Sequence, residues 1–454
     1  MRKDTFLEQF TAKYYWKSAP AKRRFRYRKE INEDLREVNR LALTMRGVVG
    51  RSLEDLEGLQ ASDYSTYQIF EGGDLAFKLI DLENIRTSRV GLVPRRGIMS
   101  PAYIRLIPAH SEADSGYYAW FFFSAYCNNI FNGMGGGVRQ NLTPSDLLEF
   151  PIPLPDIVTQ KRIAAFLDCE TARIDALIEK KERLVEVIDE KRSALITAAV
   201  TGQINELAPS ASDGNRGAVE GGGGVRLEVI DNHRSSFVPI ASGWHQRKMR
   251  FAVKTYQIQK NANENPTVLT LTKTGLKVKT DLSFGKSTEN YVGHQIVERG
   301  QFVFTPRDFD ATPILCGVAD TRGCISNLYI VFDVSPEIDS RFLEYYFWGL
   351  KHGFEFFKKL SFGMRHSFNR AQFENIPLLH PDLATQKRIA AFLNRETAKL
   401  DRVKENTRAS IDRLREYRAA LITAAVTGQI DVDDDVRRGN TDRRLETIEE
   451  EMQA

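Results

Sequence analysis

The sequence predicts an α+β protein made twice, with two mixed, β-rich domains joined by two long antiparallel coiled-coil helices. Three observations predict it. Segment Thr159–Ile204 (TQKRIAAFLDCETARID…ALITAAVTGQI) returns as Thr385–Ile430 (TQKRIAAFLNRETAKLD…ALITAAVTGQI), at an offset of about 226 residues and with roughly 27 of 46 paired positions identical. Both copies place apolar residues on a seven-residue grid. Upstream of each copy, short runs such as FVF, ILCGVA and LYIVF, bounded by Gly, Pro and Asp, read as strands.

The order of elements follows. Residues 1–155 form a first globular region and 156–205 a central repeated helix. Residues 206–236, with PSASDGNRG and GGGG, read as a flexible linker. A second globular region covers 237–381, a second repeated helix 382–431, and an acidic tail 432–454 that is expected to fray. Weaker matches tie the globular regions together. Leu41–Thr44 with Gly47 matches Leu269–Thr272 with Gly275, and Tyr64–Phe77 matches Tyr291–Phe304. Gly97–Ser100 with Tyr103 matches Gly323–Ser326 with Tyr329, and Pro151 matches Pro377. Shared glycines imply shared turns. The aromatic runs Tyr117–Tyr126 and Phe342–Phe357 read as buried helices.

In the first long helix, one apolar series is Leu167, Ile174, Ile188 and Leu195 with Lys181 in the gap; a second is Ile163, Leu177 and Leu184. The second helix has Leu393, Leu400, Leu414 and Leu421 with Thr407 in the gap, plus Ile389, Val403 and Tyr417. Two interleaved series make a coiled-coil seam, and roughly 40 helical residues reach about 60 Å. The alternative is a helix packed on its own globular region. Glu170 and Glu396 are equivalent positions, as are Arg192 and Arg418. A parallel pair sets like charges together, whereas an antiparallel pair brings Glu170 towards Arg418 and Glu396 towards Arg192.

Composition bounds the function. The chain has 454 residues, 42% hydrophobic and 27% charged, enough to bury real cores. No apolar run approaches the ~20 residues of a membrane span, and the N-terminus lacks the apolar core of a signal peptide, so a cytoplasmic protein without membrane contact is expected. Cys127, Cys169, Cys316 and Cys324 show no CxxC spacing. The net charge of +4 is uneven: residues 431–454 carry nine acids and four bases, which leaves a body of about +9, compatible with nucleic acid. There is no Gly-x-x-x-x-Gly-Lys-Ser/Thr loop and no His/Cys cluster with metal spacing, so no catalytic residue, metal or cofactor is assigned to this chain. Asp308 and Asp310 read as loop-capping carboxylates rather than a metal pair.

The arrangement resembles the specificity subunit of type I restriction–modification systems. The resemblance rests on the order of variable region and repeated helix, and on the motif Phe150–Pro155…Gln160-Lys161-Arg162-Ile163-Ala164…Leu167, repeated as Ile376-Pro377-Leu378…Pro381…Gln386-Lys387-Arg388-Ile389-Ala390…Leu393. Gly243-Trp244 resembles the family's opening signal for a variable region. The motif departs from the family at Thr159 and Thr385, where Glu is usual, and the first region lacks a Gly-Trp opening. The resemblance implies that each variable region is a target recognition domain reading one half of a split, asymmetric double-stranded DNA sequence. It implies helices that set the spacing and dock two methyltransferase subunits, which carry S-adenosylmethionine. Restriction/translocase subunits, with ATP and Mg, complete such a nuclease, while the specificity subunit performs no chemistry. Two other readings stay open: recognition for a methyltransferase without a restriction partner, or a coiled-coil scaffold that binds no nucleic acid.

DNA contacts require Arg, Lys, Asn, Gln and small polar groups. Glycine-adjacent candidates are Arg139, Gln140 and Asn141 in the first half and Arg365, His366 and Ser367 in the second; the alternative is a surface turn. Further candidates are Arg46, Arg51, Arg95, Arg96, Lys273, Lys277, Arg307 and Arg322, together with the basic cluster Lys22–Lys29. The segments Ala194–Ile204 and Ala420–Ile430 are identical, which suggests an identical partner at both; core packing is the competing explanation.

Overall fold

In the computed structural model, two long helices, Ile157–Val200 and Leu383–Thr427, form over the repeated segments. The structure describes residues 4–44, 47–51, 63–79, 90–134, 141–204, 207, 224–228, 235–239, 243–272, 275–280, 290–306, 316–353, 356–359 and 369–453. The chain divides into two compact units, Met1–Arg183 with Asn406–Ala454, and Leu184–Glu405. Each long helix contributes residues to both units.

Each long helix starts the same way. Asp156 accepts from the Thr159 amide at 3.0 Å, and the Thr159 hydroxyl donates back to it at 2.6 Å; Asp382 and Thr385 repeat this at 2.9 and 2.7 Å. Asp at an N-cap satisfies amides that the first turn leaves unpaired. The threonine that stands where Glu is usual therefore donates both its amide and its hydroxyl to the capping aspartate. Each helix also ends alike. The Gln203 amide donates to the Ala198 carbonyl at 2.8 Å and the Gly202 amide to Ala199 at 3.2 Å, with Gln429, Ala424, Gly428 and Ala425 repeating both distances. Gly202 and Gly428 sit at φ +74° and +76°, the left-handed position of such an end.

The first unit holds two four-stranded sheets. One runs in the order Phe25–Tyr27, Ile104–Pro108, Leu75–Phe77, Val90–Leu92, all antiparallel. The other runs Gly47–Arg51, Arg40–Thr44, Gly97–Met99, Gln68–Phe70, with one parallel bridge between Arg40 and Ile98. The aromatic helix Ser115–Cys127 buries Tyr117, Tyr118, Phe121 and Phe122. In the second unit, a sheet of order Val253–Tyr256, Ile330–Val334, Phe302–Phe304, Cys316–Val318 lies with a hairpin, Leu269–Thr272 and Gly275–Val278. Its aromatic helix, Ser340–His352, ends at Gly353, and a short helix, Phe356–Lys359, carries the buried Phe356 and Phe357 at the end of the run read from sequence.

The polar residue of the repeated motif joins helix to domain. Gln160 is fully buried; its amide nitrogen donates to the carbonyls of Glu112 (3.0 Å) and Pro155 (2.8 Å), and its oxygen accepts from the Asp114 amide (2.8 Å). Gln386 does the same with Glu337, Pro381 and Asp339. Asp114 and Asp339 are the N-caps of the aromatic helices. One side chain thus ties the start of the long helix to the start of the aromatic helix, in both units.

Apolar residues of the identical helix ends are core. Ile196, Ala199 and Val200 pack in one cluster with Phe342, Tyr346 and Leu350. Ile422, Ala425 and Val426 are equally buried in the first unit, where the Tyr117 hydroxyl donates to the Val426 carbonyl at 2.8 Å. Each such Ile or Val contributes roughly 1.5–3 kcal/mol on burial. Packing on equivalent aromatic helices accounts for the identity of these buried residues, while Ala194 and Gln203 are exposed and leave the shared-partner reading open.

Within each unit the two helices run antiparallel, as read from sequence, but in a different register. In the first unit Asp175 pairs with Arg418 and Glu182 with Arg415. In the second, Asp189 pairs with Lys404 and Arg192 with Asp401. Glu170 instead meets Arg173, and Glu396 meets Arg395 and Lys399, so the pairs expected with Arg418 and Arg192 do not form. The first apolar series holds: Leu167, Ile174, Ile188, Leu393, Leu414 and Leu421 are buried, Leu400 half-buried, and Lys181 and Thr407 buried in the gaps. The second series falls one residue later than expected, at Thr171, Ile178, Val185, Arg192 and at Thr397, Lys404, Ile411, Arg418. Leu177 is half-buried on the flank, and Leu184 and Val403 are exposed. Five of these eight positions are polar, so an apolar search selected their neighbours.

Two further expectations change. Strands Gly224–Glu228 and Ser235–Pro239 pair antiparallel inside the segment read as a linker; the alternation in GVRLE was hidden by the adjoining glycines. The acidic tail is not frayed. Val432–Arg438 and Asn440–Gln453 are helices, capped by Asp431, with Leu445 and Ile448 buried.

Candidate nucleic-acid interface

Each unit presents the same frame at its hairpin. Leu41–Thr44 pairs with Gly47–Gly50, and Leu269–Thr272 with Gly275–Val278. The Thr44 hydroxyl donates to the Gly47 carbonyl at 2.9 Å, and the Thr272 hydroxyl to Gly275 at 2.9 Å. Gly47 and Gly275 take φ +96° and +103°, which closes the turn without side-chain strain. The inward residues Val48 and Leu276 are buried, while Val49 and Lys277 point the other way along strands whose side chains alternate.

A second shared element is the strand Gly97–Met99, with Gly323–Ile325 as its counterpart, and the turns at its two ends. At the turn that follows, Gln68 reaches from its strand to the carbonyls of Ser100 and Tyr103; Gln295 reaches Ser326 and Tyr329 at 2.9 and 2.7 Å. On the turn that precedes, Arg96 pairs with Glu37 and Glu71, and its repeat counterpart Arg322 pairs with Glu298 at 3.0 Å. The Asn39 amide, then Arg96, hold the Glu37 carboxyl below its usual range. Arg96 and Arg322 are therefore latches within their own domains. Arg95 behaves differently. It is exposed, and its guanidinium lies over Gly50, where an added Cβ would meet it at 2.7 Å. This sets Arg95 beside the hairpin strand that ends in half-buried Arg51.

Of the sequence candidates, Arg51, Arg95, Arg96, Asn141, Lys277 and Arg322 have described positions; Asn141 and Lys277 are exposed. Arg46, Arg139, Gln140, Lys273, Arg307, Arg365, His366 and Ser367 lie outside the described residues, as do Asp308 and Asp310. In the first unit Arg95 lies over Gly50, the residue before Arg51; Arg96 faces its carboxylates. In the basic cluster, Lys22 pairs with Glu149, Arg24 with Glu112 and Arg28 with Glu30, while Arg23, Arg26 and Lys29 are exposed.

Sequence reading placed Gln160 and Gln386 in the repeated motif but missed their role as staples, although each precedes two buried residues at helical spacing (Gln160, Ile163, Leu167). It also missed a buried ion pair, Arg105 with Asp74 at 2.6 Å. Arg105 also donates to the Ile69 carbonyl at 2.7 Å. Burial raises the Asp74 carboxyl, against the pull of its hydrogen bonds and Arg105. Among the described residues no group of His, Cys, Asp and Glu is arranged to hold a metal. Burial raises the Cys316 thiol well above its ordinary value and raises Cys324, so these two thiols stay protonated.

A family model for the type I restriction modification DNA specificity domain matches residues 50–187 and 252–413, well over half of the chain. The chain belongs to that family. It is similar to the StySPI type I restriction enzyme specificity subunit of Salmonella potsdam, 29% identical over 89 residues, 19% of each chain. It is also similar to the EcoKI specificity subunit of Escherichia coli (strain K12), 29% identical over 93 residues, 20% of each. The chain thus matches about a fifth of the length of these curated relatives. A solved structure from work on the complex assembly and conformational transition of the type I R-M system shares the fold. Its TM-score is 0.59 at 14% identity, covering 91% of this chain and 98% of its own.

Proposed function

We propose that the chain is the DNA-reading subunit of a type I restriction–modification complex, with each unit reading one half of a bipartite, asymmetric target. One observation carries this reading. The two units repeat one frame of hairpin, turn and latch, yet dress it differently: Val49, Arg51 and Arg95 on one, Lys277 and Val278 on the other. A constant frame with unlike exposed side chains is what two reading heads for two unlike half-sites require.

Within this reading the subunit is non-catalytic and acts on DNA in the cytoplasm. Among the described residues no helix is long and apolar enough to cross a membrane. Two methyltransferase subunits dock on the exposed faces of the long helices, which include the exposed residues of the identical helix ends. S-adenosylmethionine belongs to those subunits, and ATP and Mg to the restriction subunits they recruit. The test is exchange of residues 41–150 for the corresponding region of another family member, followed by sequencing of the methylated sites. A change confined to one half-site is expected, and a change in both halves overturns the reading. Salt-dependent gel shifts with and without the methyltransferase separate a DNA reader from a scaffold.

A further inference from the structure

The loop that leads into the hairpin is braced alike in both units and finished differently. In the first unit buried Asn32 closes it: the side-chain nitrogen donates to the Glu37 carbonyl at 2.8 Å, and the side-chain oxygen accepts from the Glu37 amide at 3.1 Å. The Glu37 carboxylate accepts from the Val38 and Asn39 amides at 3.1 and 2.9 Å, and its other oxygen holds Arg96. The Asn39 carbonyl accepts from the Ile98 amide at 2.7 Å, which fixes the loop to the turn carrying Arg95 and Arg96. In the second unit Asn261 is again buried and braces the chain at Asn263, and the Thr267 carbonyl accepts from the Cys324 amide at 2.8 Å. Asn32, Asn39 and Ile98 thus correspond to Asn261, Thr267 and Cys324.

The first loop is one residue longer, with six residues between Asn32 and Asn39 against five between Asn261 and Thr267. It turns at Leu35, whose amide donates to the Asn32 carbonyl at 2.9 Å and whose φ is +51°. In the left-handed region the Cβ of an L residue crowds the following carbonyl, and Gly, Asn and Asp are the usual occupants. Among the described residues the other non-glycine at positive φ is Asn129. Leu35 is 53% exposed and Val38 69%, so burial does not offset the strain. The corresponding loop of the second unit exposes Ala262, Asn263, Glu264 and Asn265, with no large aliphatic side chain among them. A leucine that is both strained and exposed stabilises nothing in the free chain, and strain of this kind marks a functional position.

We infer that Leu35 and Val38 are specificity-determining residues of the first unit, making apolar contact with thymine methyl groups in the major groove of one half-site. The inference rests on the DNA-reading role and deepens it. The loop adjoins the hairpin surface assigned to DNA: Arg40, which follows it, faces Arg51 across the strands, and Arg95, on the turn it is tied to, lies over Gly50. Arginines suit phosphates and guanine edges, and the aliphatic group that duplex DNA offers in return is the thymine methyl, displayed in the major groove. The bracing by Asn32 and Glu37 holds the two side chains in place, as discrimination between bases requires. Its consequence is that the half-sites are read by different chemistry at this point, aliphatic in the first unit and amide or carboxylate in the second.

In the test, the full chain selects its target from a pool of randomised duplexes. The selected duplex is then remade with uracil, which lacks the methyl, for each thymine of the half-site read by the first unit. Uracil at one or two positions should weaken binding of the parent chain about four-fold each, the effect of one buried methyl-sized group. Leu35→Ala or Val38→Ala should lose a similar amount on the thymine duplex and nothing further on the uracil duplex. Leu35→Gly, which relieves the left-handed strain, should keep or raise Tm while losing the same discrimination. Reading of the other half-site should be unchanged in all three variants. A parent indifferent to every uracil, a half-site without A·T pairs, or variant and uracil losses that add independently overturns the inference and leaves the DNA-reading role standing. A parent that selects no duplex at all removes that role, and the inference with it.

Discussion

Arg418 meets Asp175 across the two long helices of the first unit, at 2.9 Å from Nε to Oδ1, and its guanidinium lies over Trp120 and Phe123, 5.8 and 5.7 Å from the ring centroids. The second unit repeats the relationship with Arg192, which faces Asp401 at 3.4 Å and lies over Trp348 at 4.7 Å. The arginine that sequence pairs with Glu170 therefore joins the seam to the aromatic helix. The arginines are about one-fifth exposed and the aspartates about one-half, so solvent screens each pair to roughly 1 kcal/mol or less.

This register has a direct check. Cysteines replacing Asp175 and Arg418, or Asp189 and Lys404, should crosslink under mild oxidation, while cysteines at 170 and 418 should not. Efficient crosslinking of 170 to 418 would restore the register expected from the sequence.

Removing the polar staple should be costly. Gln160→Ala strands the Asp114 amide and two carbonyls in a buried place. Each buried group left unpaired costs about 1–3 kcal/mol, so a loss of about 3 kcal/mol in urea unfolding is expected, and the same for Gln386→Ala. A loss under 1 kcal/mol would show that the groups find other partners.

His380 gives the second unit a pH dependence that its repeat counterpart, Leu154, lacks. Its ring is buried, with Nδ1 placed against the Pro381 carbonyl at 2.9 Å and Nε2 without a partner. Burial lowers its pKa, the Pro381 carbonyl opposes this, and His245 and Arg247 lower it further against Glu337. A histidine lowered on folding contributes its full stability above its ordinary value near 6.5 and loses it as pH falls through the folded value. His380→Leu should therefore gain in Tm over the parent on going from about pH 8 to pH 5. A Tm difference constant across that range would exclude the histidine as the source.

The hairpin residues should divide by their partners. Arg95→Ala and Lys277→Ala are expected to weaken DNA binding at every sequence and to reduce the salt slope by about 1 each. Arg96→Ala and Arg322→Ala, already held by carboxylates, should leave the slope nearly unchanged. The reverse pattern in salt titrations would move the interface from the hairpin to the latch turns.

The sequence by itself determined that the chain is a repeat, where the long helices lie and that they run antiparallel, because helical periodicity and duplication are local patterns. It also determined one of the two seam series, since Leu167, Ile174, Leu393 and Leu414 are apolar where the core is. It did not determine the other series, because Thr171, Thr397, Lys404 and Arg418 are seam residues only when a partner helix and an aromatic helix cover them. Tertiary structure alone decided that Gln160 is a staple, that apolar residues of the identical helix ends are core and that the acidic tail folds back as a hairpin. Each of these depends on which distant carbonyl, ring or cation meets the side chain. Burial of a polar group is set by those meetings, and no spacing along the chain encodes them.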